Sequence, residues 1–541
     1  MGHVPLSETL EAFVLRRFRL PIGLAVAAGL VVAGSPGPAL AHGKPKPRLD
    51  CSAAAVGNLG RAVGHPTAVT SVTTGRTAAG ASYCDVRAGV TVRAGDGSTS
   101  VVQLRLQVPA DWNRRYVQLG GGGFCGSIPT AGTAGDGTVD LGYAVASDDT
   151  GHVGSGADAS FAFGNTAAQN TWGYLSEHLT ALAAKAALKA TTRHTPAYAY
   201  FVGCSTGGRQ ALIEAQRWPG DFDGIVAGAP ANRQNYLAPL SQGVRELQNR
   251  DADFRQIVDA AAAAVVARGV REACDGPVAD GVVDDPRSCR FDPATLLCPD
   301  ATAAPGCLSA AQVAVVKKWY DSPRDDRGRE LYPGGLPLGS EGGWVGADIS
   351  TSPTGLSGGG AYAEQVLRYL AFPTDPGPTY SLRDFDPNRD AARLRTMAKV
   401  YNADTTNLDA FRRSGGKLML YHGLADPLIT PFGTVQYYED VVERYGSLAR
   451  TQQFARLYLL PGVYHCAGGP GPDRVDWLGA IRAWTERGTA PTSVLAAKVG
   501  GGATTMERPV YAYPLRARYD GSGDPNAAAN WKPVLGPRGR G

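Results

Sequence analysis

The sequence predicts an α/β protein, a largely parallel sheet with helical crossovers that one large insertion interrupts. Three observations predict it. Apolar strand-like runs alternate with helical stretches in both halves of the chain. The middle of the chain loses that rhythm and becomes rich in Cys, Asp, Pro and Gly. At 541 residues the chain also exceeds what one compact core of ordinary size holds.

From Cys51 to Asp149 the texture is that of strands: Val101 to Val108 alternates, and Tyr116 to Leu119 runs into the glycines Gly120 to Gly123. A helix is expected over Trp172 to Lys189, with Leu175, Leu179, Leu182 and Ala186 at helical spacing. The apolar run Ala197 to Val202 is the next strand, and Arg209 to Arg217 the next helix. Between about residues 231 and 400 one strongly helical stretch, Ala252 to Arg268, precedes an irregular segment, which reads as an inserted lid. Strand Lys417 to Tyr421, helix Thr430 to Tyr445 and strand Ala455 to Leu460 then complete the sheet, and the tail after Pro514 reads as surface loop. The expected organisation is therefore residues 42–230 and 401–541 as one catalytic domain, with residues 231–400 inserted as a lid.

Composition excludes two classes. With 53 Lys+Arg against 49 Asp+Glu, 19% charged and 43% hydrophobic residues, the chain has neither the basic excess of a nucleic-acid binder nor the profile of a disordered chain. At the N-terminus Arg16, Arg17 and Arg19 precede the apolar run Leu20 to Gly34, and Ala39-Leu40-Ala41 offers small residues to a signal peptidase. The run holds Pro21 and three glycines and falls short of the roughly twenty residues a membrane span needs. Residues 1–41 are read as a signal peptide, so the mature protein is expected outside the cytoplasm and off the membrane. In that compartment the nine cysteines are expected to form bridges.

Gly203-Cys204-Ser205-Thr206-Gly207 fits the nucleophile elbow, a strained turn between strand and helix that exposes a serine hydroxyl. A second match, around Ser357, lies in a Pro/Gly/Ser/Thr loop with no strand before it and is read as a decoy. An elbow serine needs a base and an orienting acid, which in this architecture follow in the order Ser, Asp, His at the ends of later strands. Asp426 comes just after the strand ending at Tyr421, and His465 after the strand ending at Leu460. His152 and His178 precede the serine and His422 precedes the aspartate, so only His465 satisfies the order. Cys204 adjoins Ser205 and Cys466 adjoins His465. If serine and histidine meet, their neighbours come within bridging range, and a bond there contributes at most about 5 kcal/mol by the chain-entropy argument.

These segments resemble the tannase and feruloyl esterase family of α/β-hydrolases. The likeness rests on Gly203 through Gln210, Asp221-Phe222-Asp223-Gly224-Ile225, Tyr421-His422-Gly423 through Asp426-Pro427, and His465-Cys466 through Pro472, and spans Cys51 to Trp531. It implies an α/β-hydrolase fold with a large lid and a catalytic triad of Ser205, Asp426 and His465. It also implies disulfides Cys204–Cys466, Cys274–Cys289, Cys298–Cys307 and Cys51–Cys84. Cys125 is left over, as a buried thiol or a competitor of Cys51 for Cys84. The family's C-terminal bridge is missing at both ends, where Tyr511 and the Trp531-Lys532 region stand. The backbone amide of Thr206 is expected as one oxyanion donor and that of Gly123, or its neighbour Gly122, as the other.

The acidic loop between Cys274 and Cys289 suits a calcium ion, which takes oxygen ligands from carboxylates and carbonyls. The family likeness implies a structural calcium there, although this loop is shorter than the family's pattern. Asp275, Asp280 and the carbonyl of Val282 are the expected ligands, with Val278 or Asp284 completing the shell. No cofactor is expected in the chemistry itself. The expected activity is hydrolysis of a small or polymer-linked aromatic ester, the acyl group being a gallate, a cinnamate such as ferulate, or another aromatic acid; the family includes an enzyme acting on the mono-ester of terephthalate and ethylene glycol. Lid aromatics such as Trp344 are read first as core residues and only second as candidates for the acyl pocket. The rival readings are an exported serine peptidase on the same fold and a silent carbohydrate-binding relative; a serine-reactive phosphonate separates the last from an active hydrolase.

Overall fold

A computed structural model describes residues 49–128, 138–302 and 304–539, so the expected signal peptide lies outside the described residues. A nine-stranded sheet forms the centre. Its strands are β1 (Thr67–Arg76), β2 (Ser82–Arg93), β3 (Thr99–Pro109), β4 (Arg115–Leu119), β5 (Ala144–Asp148), β6 (Tyr198–Cys204), β7 (Gly224–Gly228), β8 (Lys417–Gly423) and β9 (Ala455–Leu460). Their spatial order is β1-β2-β3-β5-β4-β6-β7-β8-β9. The first three form an antiparallel meander that joins β5 antiparallel, and from β5 to β9 every pairing is parallel.

Strands β5 and β7 are buried at every position, as a parallel strand covered on both faces must be. The covers include α1 (Ser176–Thr192) and α2 (Thr206–Arg217), later joined by α6 (Pro431–Arg444) and α7 (Trp477–Arg487). Leu179, Ala183, Leu212, Phe201, Leu420 and Val435 belong to one buried cluster, so the helical and strand periodicities in the sequence serve a single core. The first helix begins with a π-turn, Thr171–Leu175, before its regular part.

The chain leaves the sheet at Gly228 and returns to the adjacent strand at Lys417. Between them lie α3 (Ala260–Cys274), α4 (Ala310–Tyr320), α5 (Gly358–Tyr369) and several short helical turns. This segment has its own core, in which Trp319 and Trp344 meet edge to face at 5.1 Å beside Val266 and Val316. Trp344 is thus a core residue of the insertion, its indole N–H donating to Ser340 Oγ at 2.9 Å. The helix expected from Ala252 begins at Ala260 instead, because Asp259 caps it by accepting from the Ala262 amide. Ser357 caps α5 in the same way and donates its hydroxyl to Glu246, which accounts for the second elbow-like sequence.

One expectation fails outright. The tail after Pro514 is not loop but a hairpin of β12 (Leu515–Tyr519) and β13 (Trp531–Leu535), adjoining the hairpin of β10 (Ser493–Gly500) and β11 (Ala503–Tyr511). The alternation in Leu515-Arg516-Ala517-Arg518-Tyr519 is carried by arginines and small residues, and its value lies in Trp531, only 2% exposed, which no local pattern announces.

Candidate active site

Ser205 stands between β6 and α2 with φ 65° and ψ −123°, the left-handed conformation of a nucleophile elbow. Its amide donates to the Gly228 carbonyl at 3.0 Å, fastening the turn to the neighbouring strand end. The flanking glycines are required by contact: a Cβ on Gly203 would lie 2.5 Å from the Gly207 carbonyl, and one on Gly208 2.1 Å from that of Gly228.

Asp426 and His465 follow the ends of β8 and β9. His465 Nδ1 lies 2.7 Å from Asp426 Oδ2, and a proton on Nδ1 leaves Nε2 as the basic nitrogen. The Asp426 carboxylate is fully buried, and its other oxygen accepts from the amides of Leu428 and Ile429, both at 2.9 Å. Burial alone would push this acid up; the neighbouring His465 and hydrogen bonds from His422 and His465 outweigh it and hold Asp426 well below the usual carboxylate range. The Cys204–Cys466 disulfide, with Cα atoms 6.0 Å apart, joins the residue before Ser205 to the residue after His465 across 262 residues.

His422 is the residue that chain order undervalued. It is buried, its Nε2 lies 3.1 Å from Asp426 Oδ2 and 2.9 Å from the Ile429 carbonyl, and its Nδ1 lies 2.8 Å from Thr434 Oγ1. Both neighbours of Nε2 are acceptors, so that nitrogen carries the proton and the ring supports the aspartate from behind. Its position four residues before Asp426, on the same strand end, was the available signal. The two histidines that precede the serine and were weighed as rivals are engaged elsewhere: His178 with Asp221, at 2.5 Å, and His152 stacked on Phe161.

The glycine segment after β4 lies against the elbow. Thr206 Oγ1 donates to the Gly123 carbonyl at 2.7 Å, and Gln210 Oε1 accepts from the Gly121 amide at 2.9 Å. Gly123 has φ 54°, and a Cβ there would meet the Gly156 carbonyl at 2.2 Å. The amides of Thr206, Gly122 and Gly123 have no acceptor among the described residues, which leaves both alternatives for the second oxyanion donor in place. Phe124, next along, stacks at 4.2 Å on Tyr362 of α5, whose hydroxyl accepts from Gln234 at 3.3 Å, so an aromatic wall of the insertion stands beside the glycine segment.

The remaining bridges pair Cys51 with Cys84, Cys274 with Cys289 and Cys298 with Cys307. Cys125 is a free, buried thiol, which burial pushes well up from its usual range. It does not compete for Cys84.

The expected calcium ligands lie in the acidic loop closed by the Cys274–Cys289 bridge. Among the described residues no group of three or more His, Cys, Asp or Glu side chains is arranged to hold a metal ion. Asp280 and Asp284 both bond the guanidinium of Arg508, and Asp275 accepts from the Gly281 amide at 2.7 Å. The backbone of Val282 donates to Asp280 at 3.0 Å, while its side chain is buried. Asp275 Oδ1 is buried with no hydrogen-bond partner among the described residues, and burial, with Asp280 and Asp275 adding to it against the opposing Arg508, pushes Asp284 up to about 6.

Residues 84–534 match the family described as tannase and feruloyl esterase. An uncharacterized esterase of Xanthomonas campestris pv. campestris is 35% identical over 82% of this chain and 83% of its own length. The mono(2-hydroxyethyl) terephthalate hydrolase of Piscinibacter sakaiensis is 33% identical over 83% and 84%. Among solved structures, feruloyl esterase B of Aspergillus oryzae superposes with a TM-score of 0.77 at 26% identity, covering 86% of this chain and 97% of that one. The tannin acyl hydrolase of Aspergillus niger has the same fold, with a TM-score of 0.68 at 23% identity over 87% and 90%. With its α/β-hydrolase sheet, elbow and inserted lid, the chain belongs to the tannase and feruloyl esterase family and is a carboxylic ester hydrolase.

Proposed function

We propose that the chain is an exported serine esterase that hydrolyses esters of aromatic carboxylic acids through an acyl-enzyme. The observation that carries the reading is the Asp426–His465 contact of 2.7 Å, joined to the strained Ser205 elbow by the Cys204–Cys466 bridge. His465 Nε2 takes the Ser205 proton as Oγ attacks the ester carbonyl, and the imidazolium formed is stabilised by the Asp426 carboxylate. The developing oxyanion is held by the amides of Thr206 and Gly123, which are preorganised by the start of α2 and by the hydroxyl clamp of Thr206 on Gly123. His465 then protonates the leaving alcohol, and water, activated by the same nitrogen, releases the acid and restores Ser205.

The aromatic acyl preference is supported by the Phe124–Tyr362 stack beside the glycine segment and by the names of the relatives, which include feruloyl esterases and a terephthalate mono-ester hydrolase. Export is supported by the charged and apolar N-terminus and by four disulfides among the described residues. The test is a panel of methyl gallate, methyl ferulate, a terephthalate mono-ester and a simple alkanoate, with Ser205→Ala as the blank. Turnover of an aromatic ester, abolished in the variant, is expected. Equal turnover of the alkanoate would remove the aromatic preference, and activity surviving in the variant would remove Ser205 as nucleophile.

A further inference from the structure

Building on the esterase reading above, we infer that the insertion takes part in the chemistry: Tyr362 is a positioning residue that, through Phe124, fixes the Gly122 and Gly123 amides where the oxyanion forms. Gly120 to Gly123 carry no side chains, so only backbone bonds and the residues at either end hold this segment, and glycine has the most backbone freedom to lose. Donors stabilise an oxyanion only when they are held in place beforehand.

One end of the segment is fixed to the sheet and to α2. The Gly120 amide donates to the Val202 carbonyl at 3.0 Å and the Gly121 amide to Gln210 Oε1 at 2.9 Å. Phe124 fixes the other end. Its ring is wholly buried in a cluster with Leu240, Ala363 and Leu367 of the insertion, whereas Tyr116 and Val117 on β4 belong to the two clusters that flank the sheet. The four glycines therefore cross from the core of the sheet to the core of the insertion.

Helix α5 grips the far end twice. The Tyr362 ring stacks on Phe124 with centroids 4.2 Å apart and planes 9° from parallel, and Gln234 Nε2 restrains it by donating to its hydroxyl at 3.3 Å. One turn further along the same face, Gln365 Oε1 accepts from the Ala159 amide at 3.1 Å. Ala159 lies three residues after Gly156, whose carbonyl accepts from the Phe124 amide at 2.8 Å, so both contacts converge on Phe124. Removing the Tyr362 ring leaves a void against Phe124, into which the segment can relax one residue from the Gly123 amide.

The test uses the full mature chain. In Tyr362→Leu, kcat for methyl ferulate and for p-nitrophenyl acetate should fall alike, by about tenfold to a hundredfold, with KM within about twofold of the wild type. An alkyl trifluoromethyl ketone reads the oxyanion site directly: Ser205 Oγ adds to its carbonyl carbon, the carbonyl π pair moves onto oxygen, and the serine proton passes to His465. Its inhibition constant should rise by the same factor as kcat falls, which a general loss of stability would not produce. Tyr362→Phe keeps the ring and should recover most of the loss. A fall confined to methyl ferulate would overturn the inference by making Tyr362 a wall of the acyl pocket. So would unchanged kcat and inhibitor affinity in Tyr362→Leu, or equal damage in Tyr362→Phe. If Tyr362→Leu does not fold, Gln365→Leu, which releases the loop that Phe124 leans on, decides by the same two readouts. A wild-type chain that turns over no ester defeats the esterase reading and this role together, whereas the variant results bear on Tyr362 alone.

Discussion

In the candidate triad, Asp426 is wholly buried and accepts four hydrogen bonds, two from imidazoles and two from backbone amides. In the acidic loop, Asp280 and Asp284 share a single guanidinium reaching in from another hairpin. Both regions are closed by a disulfide, and both set a carboxylate against a cationic or proton-bearing partner. They differ in what the partner can do. An imidazole gains and loses a proton near neutral pH, so the carboxylate beside it can stabilise a charge that comes and goes. A guanidinium stays protonated, so the pair it makes can only hold elements together. On the proposed mechanism the contrast separates a carboxylate that supports chemistry from one that supports structure.

Substitutions at the triad should give the largest effects. Ser205→Ala should remove at least about four orders of magnitude of kcat, and Asp426→Asn about as much, because the amide would present its N–H to His465 and select the wrong tautomer. Ester hydrolysis at saturating substrate measures both, and circular dichroism should show both variants folded. The two bridges come next. Removing Cys204–Cys466 by paired alanine substitution should cost up to about 5 kcal/mol of stability and lower kcat together, whereas removing Cys274–Cys289, which closes 15 residues, should cost about 3 kcal/mol. Denaturant unfolding with a parallel kinetic assay distinguishes them; equal kinetic damage from both would erase the division between the regions.

A smaller effect is expected behind the triad. His422→Asn should lower kcat about tenfold with KM nearly constant, the worth of one hydrogen bond to a charged group. A change confined to KM would refute the positioning role. The smallest effect concerns pH. Burial pushes Asp149 up to about 7, with amides of Gly151 and Gln103 opposing and Asp148 adding to the rise. A folded-state value above the unfolded one means that the proton is held more tightly in the folded protein. The stabilisation is therefore complete below about pH 4, and it is lost as pH rises through about 7. Asp149→Asn should flatten the decline of unfolding temperature between about pH 4 and 7, measured by calorimetry.

The sheet and the candidate site residues were legible because their signals are local. Strand β9 falls on Ala455–Leu460 as its apolar run predicts, and β4 and β6 differ from expectation by a residue or two at their ends. Ser205 announces itself by its glycine neighbours and by the strand before it, and chain order did the rest. The start of α3 was misplaced because alanines continue the helical pattern on paper, while the side chain of Asp259 stops it in space. His422 was set aside because order in the chain says nothing about which atoms stand behind a carboxylate.

By itself the sequence determined the alternation of strand and helix, the presence of an insertion, the elbow and the chain order of the candidate catalytic groups, since each depends on neighbours along the chain. Tertiary structure decided what no window of sequence contains: that His422 and His465 share one carboxylate oxygen, that Trp344 faces the interior of the insertion, that the tail after Pro514 pairs into a hairpin, and that Arg508 reaches the acidic loop. The physical reason is the same in each case. Backbone propensity and periodicity act over a few residues, whereas the charge and hydrogen-bond partners of a buried group are set by whatever the fold brings within about 3 Å of it.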